Sequence, residues 1–335
     1  MKAWQIQHRG SLDALQIVDL PDPKPGPGEV LVRMHAVAVN FRDLISTQIE
    51  RPGALTPLIP CSDGAGEILA VGEGVTQWEP GQRVVSCFFQ GWEAGMINRE
   101  VMRTDLGGPL HGVLAEHVCL REAGVVAMPE HMSFEQAATL PCAGLTAWNA
   151  LVEMGQIRAG ESVLLLGTGG VSMFALQFAK MHGAQVLITS SSNTKLQRAK
   201  QLGADYLINY REFPDWQLRV NELTGNAGVD HVVEVGGWGT LERSLESVRY
   251  GGNVYFLGVL TGFEGKANPW QVIMKSVSVR GVYVGNRQSF LSMNRAISQH
   301  RLEPVIDRVY DFLQARDAFA LMESRAHVGK IVIRV

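Results

Sequence analysis

Cysteine is scarce in this chain: Cys61, Cys87, Cys119 and Cys142 are the only four in 335 residues, widely spaced and without a C-x-x-C pair. That spacing argues against a disulfide scaffold and against a cysteine-only zinc site. Long apolar runs are missing as well, and none reaches the roughly 20 residues a membrane helix needs. The opening MKAWQIQHRG lacks the apolar stretch of a signal peptide, so a cytoplasmic protein is expected. Neither sign of charge dominates. Lysine and arginine total 30 against 33 acidic residues, a net charge of −3 with no run of like charge, and neither nucleic acid nor an anionic membrane is an expected partner.

What is present suits an enzyme-sized soluble chain of two domains, 46% hydrophobic and 19% charged. From Lys2 to about Ala127 short strands are broken by abrupt turns. In Glu29–Val39, Val30, Val32 and Met34 alternate with Leu31, Arg33 and His35, a period of two. Further strands are predicted at Gly66–Val71, Arg83–Cys87 and Leu114–Leu120, which makes residues 1–127 an antiparallel, barrel-like domain. From Met128 helices alternate with apolar strands, the pattern of βαβ units and a doubly wound parallel sheet over 128–265. Residues 266–335 are expected to add the last strand and helix of that sheet and then return to the first domain.

The second domain is organised around Val163–Lys180, VLLLGTGGVSMFALQFAK. Four apolar residues read as a buried strand, Gly167, Gly169 and Gly170 as a tight turn, and the remainder as a helix with Val171, Phe174, Ala175, Phe178 and Ala179 on one face. Strand, glycine turn and helix in this order present free N–H groups to a pyrophosphate at the positive end of the helix dipole. The third glycine of G-x-G-x-x-G is absent, because position 172 is serine. About 20 residues on, where an NAD site usually carries a carboxylate, stand Thr189, Ser190, Ser191 and Ser192, then Lys195 and Arg198. Hydroxyls and a cation suit a 2′-phosphate, and NADP(H) is the expected cofactor. The serines also fit a helix cap near Thr194, and the two roles can coexist.

The order of these parts resembles the medium-chain dehydrogenase/reductase superfamily and its zinc-free, quinone-oxidoreductase-like members. The likeness runs the length of the chain, through PGPGEVLV (25–32), NFRD (40–43), IPCSDGAGEILAVGEGV (59–75), ATLPCAGLTAWNAL (138–151), GTGGVS (167–172), LGADYLINYR (202–211), GVDHVVEVGG (228–237), GVYVGNR (281–287) and GKIVIRV (329–335). It implies a GroES-like β-barrel catalytic domain, a Rossmann domain and a nicotinamide held between them. Zinc-containing relatives have cysteine where this chain has Asn40 and Gly-His-Glu where it has Cys61-Ser62-Asp63. Cys142 matches a third ligand position, but one thiolate cannot hold a Zn²⁺ that needs about four ligands. The loop Gln90–Gly112 lacks the four cysteines of the relatives' structural zinc, so no metal is expected at either place.

Without zinc, alcohol oxidation loses its Lewis acid, and Arg42 and Ile45, at the positions of the relatives' proton relay, cannot pass a proton. Hydride transfer to a quinone or an α,β-unsaturated carbonyl compound is the expected reaction, with charge on the carbonyl oxygen met by donors. The resemblance nominates Asn40, Arg42 and Asp43 as catalytic, Asn40 as donor and Arg42 as the neutralising cation; the alternative is an Arg42–Asp43 pair that only holds the turn. It carries cofactor contacts onto Thr146, Gly169, Gly170, Val171, Tyr210, Val235, Gly236, Gly237, Leu257, Gly258, Val259, Gly285, Asn286 and Arg287, with Ser190, Ser191 and Lys195 at the 2′-phosphate. Lys330 is either a further cofactor contact or a solvated strand-edge lysine. A hydrophobic substrate pocket is expected from Phe41, the 88–92 loop (Phe88, Phe89, Gln90, Gly91, Trp92) and Phe263. A homodimer is implied, pairing edge strands near Asn253–Leu257 and Val277–Val284. A zinc-independent NADP-dependent alcohol dehydrogenase or carbonyl reductase, and a non-catalytic NADPH-binding sensor, remain as alternatives.

Overall fold

The alternation in Glu29–Val39 produces an eleven-residue strand whose residues Val30, Val32 and Met34 are buried. The computed structural model describes residues 1–50 and 53–335. These divide into two compact units, Met1–Leu145 with Asn286–Val335, and Thr146–Gly285. The first division therefore falls at 145 rather than at the expected 127, because residues 134–144 pack on strands of the first unit. The strand expected at Val277–Val284 as the last of the parallel sheet is present there as Ser278–Gly281, while the helix expected with it, Arg287–His300, lies beyond the return to the first unit at 286.

The first unit contains β1 (Lys2–Ile6), β2 (Leu15–Asp19), β3 (Glu29–Val39), β4 (Asp63–Val71), β5 (Arg83–Ser86), β6 (His117–Arg121) and β7 (Val125–Ala127). The second contains β8 (Ser162–Leu166), β9 (Gln185–Ser190), β10 (Tyr206–Asn209), β11 (Val229–Glu234), β12 (Val248–Phe256) and β13 (Ser278–Gly281). The chain then returns to the first unit with β14 (Ile306–Asp311) and β15 (Lys330–Arg334).

In the first unit a seven-stranded sheet runs β14-β15-β3-β4-β5-β7, with β6 also on β3. It is antiparallel apart from the β14–β15 pair. Val37, Ile68, Val113, Leu114, Phe319 and Ile331 belong to its core. The register of β15 on β3 sets Ile331 opposite Val39, which brings residue 330 beside residue 40. Helix Phe41–Gln48 starts directly after β3. Asn40 is thus fixed between a strand end and a helix start.

The second unit is one parallel sheet, β10-β9-β8-β11-β12-β13. Leu164, Leu187, Val232 and Val254 from its strands and Leu241 and Leu245 from helix Trp238–Ser247 share a core. Successive strands go one way from β8 through β9 to β10, then the other way from β11 to β13. The order reverses between β8 and β11, the switch point where open α/β sheets bind ligands beyond their carboxyl ends. Among the described residues no helix is long and apolar enough to cross a membrane.

Candidate active site

At the carboxyl end of β8, Gly167 takes φ +71°, a left-handed conformation open to glycine. Gly169 precedes helix Gly170–Met181 as its cap. A Cβ added at Gly167 or Gly169 would meet no atom within 4 Å, so the backbone there faces open space. The first-turn N–H groups, those of Gly170 and Val171 among them, have no acceptor within their own helix and are suited to an anion. The absent third glycine has a local explanation. Ser172 is buried, and its hydroxyl donates to the Leu166 carbonyl at 2.8 Å, tying helix to strand from the inside.

The neighbouring strand ends are held by a buried carboxylate that the sequence did not single out. Glu234 accepts from the N–H groups of Gly236 at 2.7 Å and Gly237 at 3.0 Å, and from the hydroxyls of Thr240 at 2.7 Å and Ser244 at 2.5 Å. Burial pushes its pKa up, while these four donors favour the ionised form. Its carbonyl accepts from Leu257, and Gly258 lies so close that a Cβ would stand 2.1 Å from the Val235 carbonyl oxygen. The Val235–Gly236 and Leu257–Val259 segments are thereby brought side by side. Thr146 is buried at the start of this unit. Asn149 donates to the carbonyl of Val284 at 2.6 Å, and Val284 has φ +56°, a rare conformation for a β-branched residue, just before buried Gly285.

Ser190 ends β9 buried, and its carbonyl accepts the Tyr210 N–H at 3.0 Å, so the two lie together. Ser191 and Lys195 are half-buried and Tyr210 is exposed. Ser192 accepts from the Lys195 N–H at 3.5 Å, the capping role expected there. Asn193 and Asn209 both donate to the Glu212 carboxylate beside this corner.

In the first unit the structure gathers Asn40, Asp43, Asp63 and Lys330. Lys330 is 2% exposed, not the solvated strand-edge lysine that formed one of the two expectations. Its ammonium donates to the Val39 carbonyl at 2.8 Å and to Asn40 Oδ1 at 2.5 Å. The Asn40 N–H donates to Asp43 Oδ2 at 2.8 Å. Asn40 Nδ2 makes no hydrogen bond of ordinary geometry, yet lies near enough to Asp63 to favour its ionised form. Asp63 accepts from the Ser62 hydroxyl at 2.6 Å and the Cys142 N–H at 3.0 Å. Burial raises the pKa of Asp63, and that of Asp43 to about 6, against the nearby Lys330 and Arg42 charges. Cys61, at φ +69°, and Cys142 are within electrostatic reach of the same groups, and burial pushes both thiols up.

Arg42 is held elsewhere. Its guanidinium donates to Asp105 at 2.6 Å and to the Leu106 carbonyl at 2.5 Å, touches Asp43 at 3.4 Å and lies over the Phe88 ring. Asp105 is fully buried, and nothing in the sequence of its loop marks it as a partner of Arg42. The aromatic pocket expected from the 88–92 loop is corrected. Phe88, Phe89 and Trp92 are buried against one another, and Gln90 is bonded to the Cys87 and Gly124 carbonyls and the Arg121 N–H. Phe41 is half-buried and Phe263 exposed. Asn286 and Arg287 belong to the first unit, separated from Gly285 by the unit boundary. Asn286 caps helix Arg287–His300 through the Ser289 N–H, while Arg287 donates to the Trp92 and Val125 carbonyls.

Residues 26–130 match the family described as alcohol dehydrogenase GroES-like domain, and residues 170–299 the family described as zinc-binding dehydrogenase. A zinc-type alcohol dehydrogenase-like protein of Schizosaccharomyces pombe is 40% identical over 93% of this chain and 92% of its own length. Among solved structures, an NAD-dependent alcohol dehydrogenase is similar at 35% identity and a TM-score of 0.91, covering 100% of both chains. Escherichia coli quinone oxidoreductase complexed with NADPH is similar at 25% identity and a TM-score of 0.86, again over 100% of both. With a GroES-like unit, a Rossmann-like parallel sheet and these relatives over nearly its whole length, the chain belongs to the medium-chain dehydrogenase/reductase superfamily of oxidoreductases.

Proposed function

We propose that this protein is a metal-independent, NADPH-dependent reductase of quinones or α,β-unsaturated carbonyl compounds. The observation that carries the reading is the composition of the Asn40 pocket. Zinc is implied by the family description, and the residues here do not fit it. Asn40 Oδ1 is taken by the Lys330 ammonium, and the Asp63 oxygens accept from Ser62 and Cys142. Among the described residues no three His, Cys, Asp or Glu side chains converge as a ligand set.

The glycine turn of the second unit fits a dinucleotide, with open space over Gly167 and Gly169 and unpaired first-turn N–H groups for the pyrophosphate. When bound, a dihydronicotinamide supplies the hydride. Thr146, Val235, Gly236, Leu257, Gly258, Val259 and Gly285 are assigned to its binding, with Asn286 and Arg287 retained from the family pattern; Lys330, buried and committed to Val39 and Asn40, is withdrawn from that set. Ser190, Ser191, Lys195 and Tyr210 are assigned to the 2′-phosphate, which the absence of a carboxylate at the end of β9 favours. The Asn40 amide donates to the carbonyl oxygen as negative charge builds there, and solvent supplies the proton. Arg42 and Asp43 hold the pocket wall, as their existing bonds indicate.

Two copies are proposed to pair through β13, an edge of the parallel sheet; the segment from Asn253, also expected at an edge, lies in β12, which is paired on both sides by β11 and β13. Val279 on that strand, with Tyr250 on the neighbouring β12 and Trp270, Ile273 and Met274 shortly before β13 in sequence, leaves large apolar side chains in solvent.

The test incubates the purified protein with NADPH or NADH and a panel of quinones, enones, aldehydes, ketones and alcohols, following nicotinamide absorbance and metal content. Faster NADPH oxidation with quinones or enones, at substoichiometric zinc, is expected. A preference for NADH overturns the cofactor assignment, and alcohol oxidation by a zinc-loaded protein overturns the metal-independent one. Cofactor binding with no turnover on any panel member identifies a sensor instead.

A further inference from the structure

We propose that Lys330 is the resident cation of the Asn40 pocket and the positioning residue that fixes the orientation of the Asn40 amide. This rests on the reading of Asn40 as the donor to the substrate carbonyl. The pairing of β15 with β3 delivers residue 330 to this place. An ammonium that is 2% exposed is costly to bury unless it is bonded and charge-compensated, and here both conditions hold. Two acceptors, the Val39 carbonyl and Asn40 Oδ1, receive its N–H groups. Two buried carboxylates, Asp43 and Asp63, lie within its field.

An amide can present either end to its surroundings, and the chemistry of its neighbours decides which. Ammonium donates and cannot accept, so Asn40 must turn its oxygen toward Lys330. Its NH2 group then lies on the Asp63 side, with two N–H bonds and no partner of ordinary geometry. Removing the ammonium removes the charged donor behind that choice and leaves only the cap contact between the Asn40 side chain and the Asp43 backbone N–H. A fixed positive charge among Asn40, Asp63 and Cys142 also fills the electrostatic place of a metal ion.

The experiment is a double-mutant cycle on the full-length protein with Lys330→Met, Asn40→Leu and their combination, with Lys330→Arg as the charge-conserving control. Cofactor affinity is measured separately by titration. Each single change is expected to lower kcat about tenfold or more with cofactor affinity nearly unchanged, and the double change to lose little beyond the worse single one. Lys330→Arg should restore part of kcat. Additive losses, or a Lys330→Met effect confined to cofactor affinity, overturn the positioning role. Because Lys330→Met leaves Asp63 buried beside no cation, Lys330→Met/Asp63→Asn is made as well. Recovery of thermal stability in that pair supports the resident cation, and no recovery overturns it. Stability is read without substrate. Should the wild-type protein reduce no panel compound, the reductase reading fails while the Lys330–Asp63 test still gives its own answer.

Discussion

Ser172 donates its hydroxyl to the carbonyl of Leu166 at 2.8 Å across the turn that joins β8 to its helix. The cradle itself is backbone, so this bond belongs to stability and not to cofactor recognition. Ser172→Ala is expected to lower unfolding free energy by about 1 kcal/mol, the net value of one buried hydrogen bond. The KM for NADPH should stay within about threefold of wild type, since no N–H group of the turn is lost. Denaturant unfolding and steady-state kinetics on the same preparation check both halves.

Gly169 makes the opposite case. Its φ of −77° is accessible to any residue, and a Cβ there touches nothing in the protein. Gly169→Val should therefore leave the melting temperature almost unchanged while a side chain fills the space assigned to the pyrophosphate. Cofactor affinity is expected to fall at least about tenfold, or about 1.4 kcal/mol. Titration of NADPH against both proteins measures it, and unchanged affinity would remove this turn from the cofactor site.

The second unit was largely legible in the sequence, because short apolar runs that become buried strands, period-3.6 helices and a glycine turn are local signals and βαβ order follows from their succession. Strand β14 carries no local signal, being short and set by its pairing with β15. The polar pocket was legible only in part. NFRD marked Asn40 and Asp43, but Lys330 reads as a surface residue until the β15–β3 register places it next to Asn40. Asp105 gives no signal of its own, because an aspartate in a glycine-rich loop is usually a turn residue. Partners that meet across 63 residues, as Arg42 and Asp105 do, are a property of the folded chain.

Arg42 is engaged by Asp105 and the Leu106 carbonyl and covers Phe88. Arg42→Ala leaves the Asp105 carboxylate buried without this partner, and a loss of about 3–5 kcal/mol is expected. Asp105→Asn should cost less, and adding it to Arg42→Ala should recover part of the loss, because the uncompensated charge is then gone. Chemical denaturation of the three variants checks the order. A stable Arg42→Ala with turnover abolished would instead assign the guanidinium to catalysis.

Strand β13 offers a direct probe of assembly. Val279 is 40% exposed on an edge that pairs only with β12. Val279→Asp puts a charge in the proposed two-fold contact without disturbing the core, and is expected to convert a dimer to monomer by light scattering. A wild-type protein that is already monomeric at micromolar concentration would refute the pairing.

Asp43 sets a pH dependence whose sign follows from its environment. Burial raises its pKa from 3.8 to about 6, so the folded protein holds this proton more tightly than the unfolded chain does. Below about pH 4 both states are protonated and the carboxyl carries no ionisation penalty. As pH rises through the window from about 4 to about 6, the unfolded chain ionises first and stability is lost, by up to about 3 kcal/mol from this group. Asp43→Asn does not titrate, so the wild-type advantage over it should be largest near pH 4 and shrink toward pH 7. Denaturation curves for both proteins at half-unit steps measure the difference. An advantage that grows with pH would mean that Arg42 and the Asn40 N–H outweigh burial and hold the carboxylate ionised.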